Sequence, residues 1–149
     1  MSTATIRRAT TADVDAIAPL FDAYRRFYEQ PADLALARAF IEARLAAGES
    51  TIFVADAGDG LVGFCQLYPT WCSVAAARIF VLYDLFVADA GRRAGTGRAL
   101  MLAAQAHARE AGAVRVDLTT AHTNTRAQAL YESLGWQRDE AFRTYNLAP

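Results

Sequence analysis

The segment Arg78–Val87 limits the folds open to this chain more than any other feature. After its arginine it reads Ile-Phe-Val-Leu-Tyr-Asp-Leu-Phe-Val, a nearly continuous apolar run that is typical of a strand covered on both faces. A Gly-rich stretch follows, then the periodicity of a helix from about Thr96 to Ala111, and then a strand over Val114–Thr119. A strand–helix–strand order predicts that the central pairing of the sheet is parallel, through a right-handed crossover.

The rest of the chain predicts a mixed sheet around this unit. Before it we expect a strand over Thr3–Ala9, helices with apolar stripes over Val14–Tyr24 and Leu34–Leu45, and a hairpin of Ser50–Asp56 and Leu61–Tyr68. Pro69 is expected to interrupt the second hairpin strand. After it we expect a helix over Asn124–Leu134 and a last strand over Phe142–Leu147. The order β-α-α-β-β-β-α-β-α-β predicts one α/β domain, residues 1–149, with helices on both faces of a mixed sheet.

Composition excludes several classes of protein. Hydrophobic residues make up 54% of the 149 and the formal net charge is −1, which argues against a disordered chain and against a general nucleic-acid binder. No apolar run approaches the ~20 residues of a membrane span, and the N-terminus lacks a signal-peptide pattern. We therefore expect a cytoplasmic protein with neither nucleic acid nor membrane as a partner. The two histidines and two cysteines have no zinc-module spacing, so we expect no metal.

The Gly-rich stretch Asp89–Arg98 predicts an anion site. It has three glycines and three arginines between a buried strand and the start of a helix, where unpaired backbone N–H groups favour phosphate. All 15 basic residues are Arg, so a phosphate-binding loop that needs Lys is excluded. A dinucleotide fingerprint matches Gly95 and Gly97, but its third small position is Leu100 and it lies in mid-chain rather than after a first strand.

Three segments together resemble one known family. Arg92-Arg93-Ala94-Gly95-Thr96-Gly97 looks like the Arg/Gln-x-x-Gly-x-Gly/Ala loop of the GNAT superfamily of acetyl-CoA-dependent N-acetyltransferases. The preceding Tyr83-Asp84-Leu85-Phe86-Val87 resembles the fourth strand of that family. The segment from Asn124 to Trp136 resembles its Asn…Ala-x-x-Leu/Phe-Tyr-x-x-x-Gly-Phe signature. The resemblance implies a single N-acetyltransferase domain that transfers the acetyl group of acetyl-CoA to an amine.

The resemblance also implies which residues bind acetyl-CoA. The pyrophosphate would lie on the loop, and the pantetheine arm on the main chain of the fourth strand, where one amide would polarise the thioester carbonyl. Asn124 would contact the same arm from the last helix. The implied cofactor-binding residues are Leu85, Phe86, Val87, Arg92, Arg93, Ala94, Gly95, Thr96, Gly97, Arg98, Asn124 and Tyr131.

Tyr131 is the implied proton donor. It follows Asn124 by seven residues, or two helical turns, so both side chains lie nearly on one face. A phenol with a pKa near ~10 can protonate a thiolate whose conjugate thiol has a pKa near ~8.5. The alternative is that Tyr131 only packs against its helix neighbours and that Asn124 only caps the helix.

The resemblance assigns the general base and the acceptor less narrowly than it assigns the acetyl-CoA site. Asp84 is the candidate base; it could equally be structural or hold a cationic substrate. Many polyamine-type relatives have Glu where this chain has Tyr83, and neighbouring strand residues are expected to face opposite ways. The implied substrate-binding residues are Tyr28, Glu29, Tyr83 and Asp84. Their aromatic and acidic character favours a small amine of the diamine or polyamine type.

Several alternatives stay open at this point. The same fold serves protein N-terminal and lysine acetyltransferases, and a catalytically idle acyl-CoA-binding or sensory module is a further possibility. Homodimers are common in the family that the chain resembles, although no residue here indicates one. The sequence leaves the acceptor amine and the oligomeric state open.

Overall fold

The computed structural model describes residues 3–92 and 94–149 and divides into two units, Met1–Thr119 and Thr120–Pro149. The helices and strands of the first unit are β1 (Thr5–Arg8), α1 (Val14–Phe27), α2 (Leu34–Ala46), β2 (Thr51–Asp56), β3 (Leu61–Cys72), β4 (Ala77–Val87), α3 (Thr96–Glu110) and β5 (Arg115–Asp117). The second unit holds α4 (Thr125–Ser133). The prediction that the whole chain is one domain stays a prediction.

The first unit is built on a five-stranded mixed sheet in the order β1-β2-β3-β4-β5. Neighbouring strands are antiparallel from β1 to β4, and β4 pairs with β5 in parallel through the α3 crossover. The predicted mixed α/β sheet with a parallel pair is therefore confirmed, but this pair lies at one edge of the described sheet and not at its centre, where it was expected.

Helices cover both faces of this sheet, as predicted. On one face Ile52, Val54 and Phe64 form a buried cluster with apolar residues of α1 and α2. Their sequence neighbours point the other way: the buried Cys65 Sγ lies 3.7 Å from the Leu100 carbonyl oxygen of α3. The first face, called the α1 face below, carries the candidate site.

A β-bulge at Tyr83 changes which side chains of β4 reach the α1 face. Gln66 of β3 is paired with Asp84, but the next residue, Leu67, is paired with Leu82. Tyr83 is thus the extra residue of the bulge, and the alternation of side chains on β4 changes phase there. Without the bulge, the even-numbered Asp84 would share the α3 face with Leu82.

Two strand predictions are wrong. Pro69 does not interrupt β3, which continues to Cys72 and pairs Pro69 with Phe80. Beyond Leu67 no described residue pairs with β3 on its β2 side, and a proline is tolerated where a strand has such an open edge. β5 is also shorter than the predicted Val114–Thr119.

The predicted last strand, Phe142–Leu147, is absent from the described structure. The segment has no regular secondary structure, and Phe142, Tyr145 and Leu147 are all more than four-fifths exposed. Its apolar residues break the alternation between 142 and 145, so they do not define one buried face. A strand also needs a neighbour to take its backbone hydrogen bonds, and none of the described residues does so here.

Candidate active site

A pocket of about 780 Å³ opens on the α1 face of the first unit. Four tyrosines dominate its wall, and one carboxylate and one guanidinium share it. The lining residues are Phe21, Tyr24, Arg25, Tyr28, Gln30, Phe40, Tyr68, Thr70, Val81, Tyr83, Asp84 and Thr119. Aromatic walls with few charged groups are typical of a small-molecule site.

Asp84 is the buried acid of this pocket and is held by a short hydrogen-bond chain. Its side chain accepts a 2.5 Å hydrogen bond from Gln66 Nε2, and Gln66 Oε1 accepts one of 2.7 Å from Ser50 Oγ. All three residues are buried. Burial raises the pKa of Asp84, and the hydrogen bond from Gln66 only partly offsets this rise. A carboxylate fixed in this way can take up a proton more readily than an exposed aspartate.

The tyrosines beside Asp84 are held in their neutral form. Burial and the nearby Asp84 raise the pKa of Tyr24 above its ordinary range, and the same two causes raise the pKa of Tyr68 to about 12. Tyr24 donates a 3.1 Å hydrogen bond to the Tyr83 carbonyl oxygen, at the bulge. Both phenols therefore stay protonated at neutral pH.

The structure brings together three of the four predicted substrate-binding residues. Tyr28, Tyr83 and Asp84 all line the pocket. The expectation that Tyr83 and Asp84 face opposite ways is wrong, because the bulge turns both towards the same space. Glu29 is exposed in the turn after α1, with φ at +65°, and is not among the lining residues.

One edge of β4 is open beside the pocket. β5 pairs only with Ile79–Val81, so the later residues of β4 have no strand partner on that edge among the described residues. On the other edge Leu85, Phe86 and Val87 pair with β3. An extended amide-containing arm such as pantetheine fits an open strand edge, because it can use the free backbone donors and acceptors.

The start of α3 has the chemistry of an anion site. Gly95 is its N-cap, with φ at +74°, and among the described residues no side chain caps it and no acid lies in its first turn. The first N–H groups of the helix, over Thr96, Gly97 and Arg98, therefore suit a pyrophosphate. Of the predicted arginines, Arg98 is exposed.

The other predicted loop residues have varied surroundings. Arg92 is paired with Asp89 at 2.7 Å and donates to the Val87 carbonyl oxygen at 3.0 Å. Thr96 is buried, and its hydroxyl donates to the Gly91 carbonyl oxygen at 2.9 Å. Ala94 is exposed in the turn, and Arg93 lies outside the described residues. Because the Thr96 hydroxyl is used within the loop, only the backbone N–H of Thr96 is available to bind an anion.

Gly95→Ala is expected to weaken acetyl-CoA binding about 10-fold or more, because the left-handed backbone at this N-cap disfavours a side chain. Gly112→Ala is the matched control. Gly112 has φ at +76° just beyond the other end of α3, and a Cβ at either glycine meets no atom within 4 Å. Both variants should lose about 1 kcal/mol of stability, but isothermal titration should find weaker acetyl-CoA binding for Gly95→Ala alone. Equal affinities in the two variants would contradict the assignment of this helix start to acetyl-CoA.

Asn124 and Tyr131 lie in the second unit and are described with it. Asn124 is the N-cap of α4, and its side-chain oxygen accepts from the Ala127 N–H at 3.4 Å. The ring of Tyr131 is tilted against that of Trp136, with centroids 6.3 Å apart. Capping and ring packing are thus observed for these residues, and their roles towards acetyl-CoA stay predictions.

Sequence reasoning missed several residues of the site, four of them polar or charged and close to its chemistry. Tyr24 and Arg25 line the pocket, while Ser50 and Gln66 form the chain behind Asp84. Tyr24 was identifiable, because it precedes Tyr28 by one helical turn and so shares its face. No sequence pattern identifies Ser50 and Gln66, since they are 16 residues apart and meet only when the strands of the sheet pair.

Two general findings concern the described residues. None of their helices is long and apolar enough to cross a membrane. Their His, Cys, Asp and Glu side chains form no group of three or more that could hold a metal ion.

Comparisons with known proteins identify the family. The sequence model of the acetyltransferase (GNAT) family matches residues 17–136. YhfO of Bacillus subtilis (strain 168), an uncharacterized N-acetyltransferase, is 46% identical over 142 residues, which are 95% of each protein. The crystal structure of a probable acetyltransferase has a TM-score of 0.90 at 40% identity and covers 97% of each chain.

A more distant structure shares the fold. The ribosomal-protein-alanine N-acetyltransferase from Brucella melitensis biovar Abortus 2308 has a TM-score of 0.77 at 20% identity, over 96% of this chain and 99% of that one. With the match to the family and the near relatives, the chain belongs to the GNAT family of acetyltransferases and is an N-acetyltransferase.

Proposed function

We propose that the protein transfers the acetyl group of acetyl-CoA to a primary amine of a small molecule, and that this amine binds beside Asp84. The observation that carries the proposal is the buried Asp84 carboxylate in a pocket walled by tyrosines. Tyrosine faces and one carboxylate together attract an alkylammonium ion, through cation–π contact and ion pairing.

The chemistry follows from the state of the two reactants. Acetyl-CoA supplies an activated acetyl group as a thioester. The amine arrives mostly as an ammonium ion and must lose a proton before its lone pair can attack. A new N–C bond then forms, the C–S bond breaks, and the leaving thiolate takes up a proton.

Asp84 and Tyr131 are proposed for the two proton transfers. Asp84 would accept the ammonium proton, directly or through a water, because its raised pKa makes it a better base than an exposed aspartate. Tyr131 would donate a proton to the departing thiolate, as the family motif implies. Gln66 and Ser50 would be positioning residues, since they form the hydrogen-bond chain behind the carboxylate and do not line the pocket.

Asp89–Arg98 and the open edge of β4 are proposed as the acetyl-CoA site. The start of α3 would hold the pyrophosphate on backbone N–H groups, with Arg92, Arg93 and Arg98 adding charge. The main chain of Leu85, Phe86 and Val87 would hold the pantetheine arm. These two features lie at the carboxyl end of β4, so they fit one extended ligand.

Thermal unfolding tests the co-substrate. Acetyl-CoA or CoA at ~100 times its dissociation constant should stabilise the protein by about 2.7 kcal/mol, a shift of several degrees. NADH at the same concentration should give no shift, because the dinucleotide fingerprint is incomplete. Stabilisation by NADH and by neither CoA form would overturn the proposal.

The pH dependence of kcat/KM tests the role of Asp84. Because burial raises its pKa, we expect an acidic limb above the ordinary aspartate range of ~3.9, with the rate falling as Asp84 becomes protonated. Asp84→Asn should abolish that limb, and Asp22→Asn should keep it. The measurement is the initial rate of thiol release from about pH 4 to about pH 9, a range that covers the titration of a carboxyl group and approaches that of an amine. An unchanged limb in Asp84→Asn would assign it to another group.

A further inference from the structure

We propose that the acceptor carries an anionic group, a carboxylate in the simplest case, which Arg25 binds while its amine lies at Asp84. The acceptor would then be an amino-acid-like zwitterion rather than a plain amine. This inference rests on the proposed function, because it takes the Asp84 pocket to be the acceptor site.

Arg25 is an unpaired cation in the wall of that pocket. Its Nη1 is buried and has no hydrogen-bond partner, the one such side-chain nitrogen or oxygen among the described residues. Its guanidinium takes part in none of the ion pairs found there, although the side chain lines the pocket. A covered donor of a charged group that bonds to nothing destabilises the protein, so a ligand that accepts from Arg25 would remove this cost.

The neighbouring arginine shows that position on the helix does not explain Arg25. Both Arg25 and Arg26 lie in the last turn of α1, where a cation favours the carbonyl end of the helix dipole. Arg26 is half-exposed, pairs with Asp22 at 3.3 Å and lies outside the pocket. An interaction with the helix dipole requires neither a covered guanidinium nitrogen nor a place in the pocket wall, whereas Arg25 has both.

Arg25 and Asp84 share the pocket without neutralising each other. No ion pair joins them. The pKa of Asp84 is shifted by burial and by neighbouring side chains other than Arg25. A ligand with both an anionic group and an ammonium group would match this wall, its anion at Arg25 and its ammonium at Asp84. A guanidinium commonly binds a carboxylate through two parallel N–H donors.

A diamine or polyamine uses only half of this arrangement. Its first ammonium would fit Asp84, but its second cation would leave Arg25 unpaired or be repelled by it. The cationic acceptors that the sequence favours therefore match the tyrosines and Asp84, and an amino-acid-like acceptor matches Arg25 as well.

Matched pairs of acceptors test the proposal. The twenty common amino acids are assayed with acetyl-CoA beside the amines that lack their carboxylate, for example phenylalanine beside 2-phenylethylamine, with 1,4-diaminobutane as the diamine. We expect kcat/KM to be about 10- to 100-fold higher for the carboxylate-bearing member of the preferred pair, the usual worth of a charge-assisted hydrogen bond. Equal use of both members, or preference for the diamine, would overturn the inference and leave the proposed function intact. Acetylation of no amine in either set would overturn both.

Arg25→Gln locates the effect. It should raise KM for the amino acid by about 10- to 100-fold, change kcat less than about threefold, and leave kcat/KM for the decarboxylated amine near the wild-type value. Arg26→Gln, the matched control, should change none of these. An equal loss on both members of the pair would mean that Arg25 supports the fold only. If Arg25→Gln does not fold, Arg25→Lys keeps the charge and should retain part of the preference.

Discussion

Asp84→Asn is expected to lower kcat/KM for the acceptor amine by about 100- to 10,000-fold, the range that a general base contributes. Asparagine keeps the shape of the side chain and can still accept the hydrogen bond from Gln66, but it can neither take up a proton nor attract an ammonium ion. The loss should appear in initial rates of thiol release at neutral pH, with acetyl-CoA affinity unchanged.

The stability of the same variant separates a catalytic role from a structural one. The pKa of Asp84 is raised in the folded protein, so its contribution to stability is fully present below its unfolded pKa and is lost as the pH rises through its folded pKa. At neutral pH the buried charge opposes folding. Asp84→Asn should therefore unfold at the wild-type temperature or above it, while activity collapses.

Asp22→Asn is the matched control for burial. Asp22 is also a buried acid, but it accepts from the Asp33 N–H at 2.9 Å, pairs with Arg26 and lies outside the pocket. This variant should lower the unfolding temperature and leave kcat near the wild-type value. A fall in kcat of equal size in Asp22→Asn and Asp84→Asn would mean that both substitutions lower activity by destabilising the fold, and it would contradict a catalytic role of Asp84.

Tyr131→Phe is expected to lower kcat by about 10- to 1000-fold, because the departing thiolate would lose its proton donor. Acetyl-CoA affinity should stay nearly intact, since the phenyl ring keeps the packing surface against Trp136. Single-turnover rates isolate the chemical step from product release.

Tyr145→Phe is the control for Tyr131→Phe. It removes a phenol hydroxyl from the same unit at a side chain that is 87% exposed, and it should leave kcat unchanged. A wild-type kcat in Tyr131→Phe, with chemistry shown to limit the rate, would remove Tyr131 from the mechanism and leave it as a packing residue of α4.

The fold was predictable where pattern and connection length agree. The apolar run before Asp89 and the helix after Gly95 indicate the β4-α3-β5 crossover, because parallel strands need a long connection and a helix is the usual one. The strand predicted over Phe142–Leu147 rested on β propensity, which describes a segment, whereas strand formation also needs an alternating apolar face and a partner. Pro69 failed as a strand breaker for the same reason: its effect depends on which edge of β3 is open.

The site was predictable in its chemistry but not in its geometry. Asp84 and Tyr83 were identified as candidates from their place on β4, yet strict alternation puts them on opposite faces. One extra residue in the pairing of β4 with β3 reverses that result, and no local sequence pattern indicates it. Arg25 has the same limitation, because its lack of a partner is a property of the folded pocket.

The most direct test of the central claim is product identification by mass spectrometry. The protein is incubated with acetyl-CoA and a mixture of small primary amines that includes the amino acids and 1,4-diaminobutane. We predict an N-acetylated small molecule formed in equal amount to the CoA released, with formation lost in Asp84→Asn. CoA binding without any acetylated small molecule, as in an idle binding module, or acetylation of protein N-termini or lysines alone, would contradict the account.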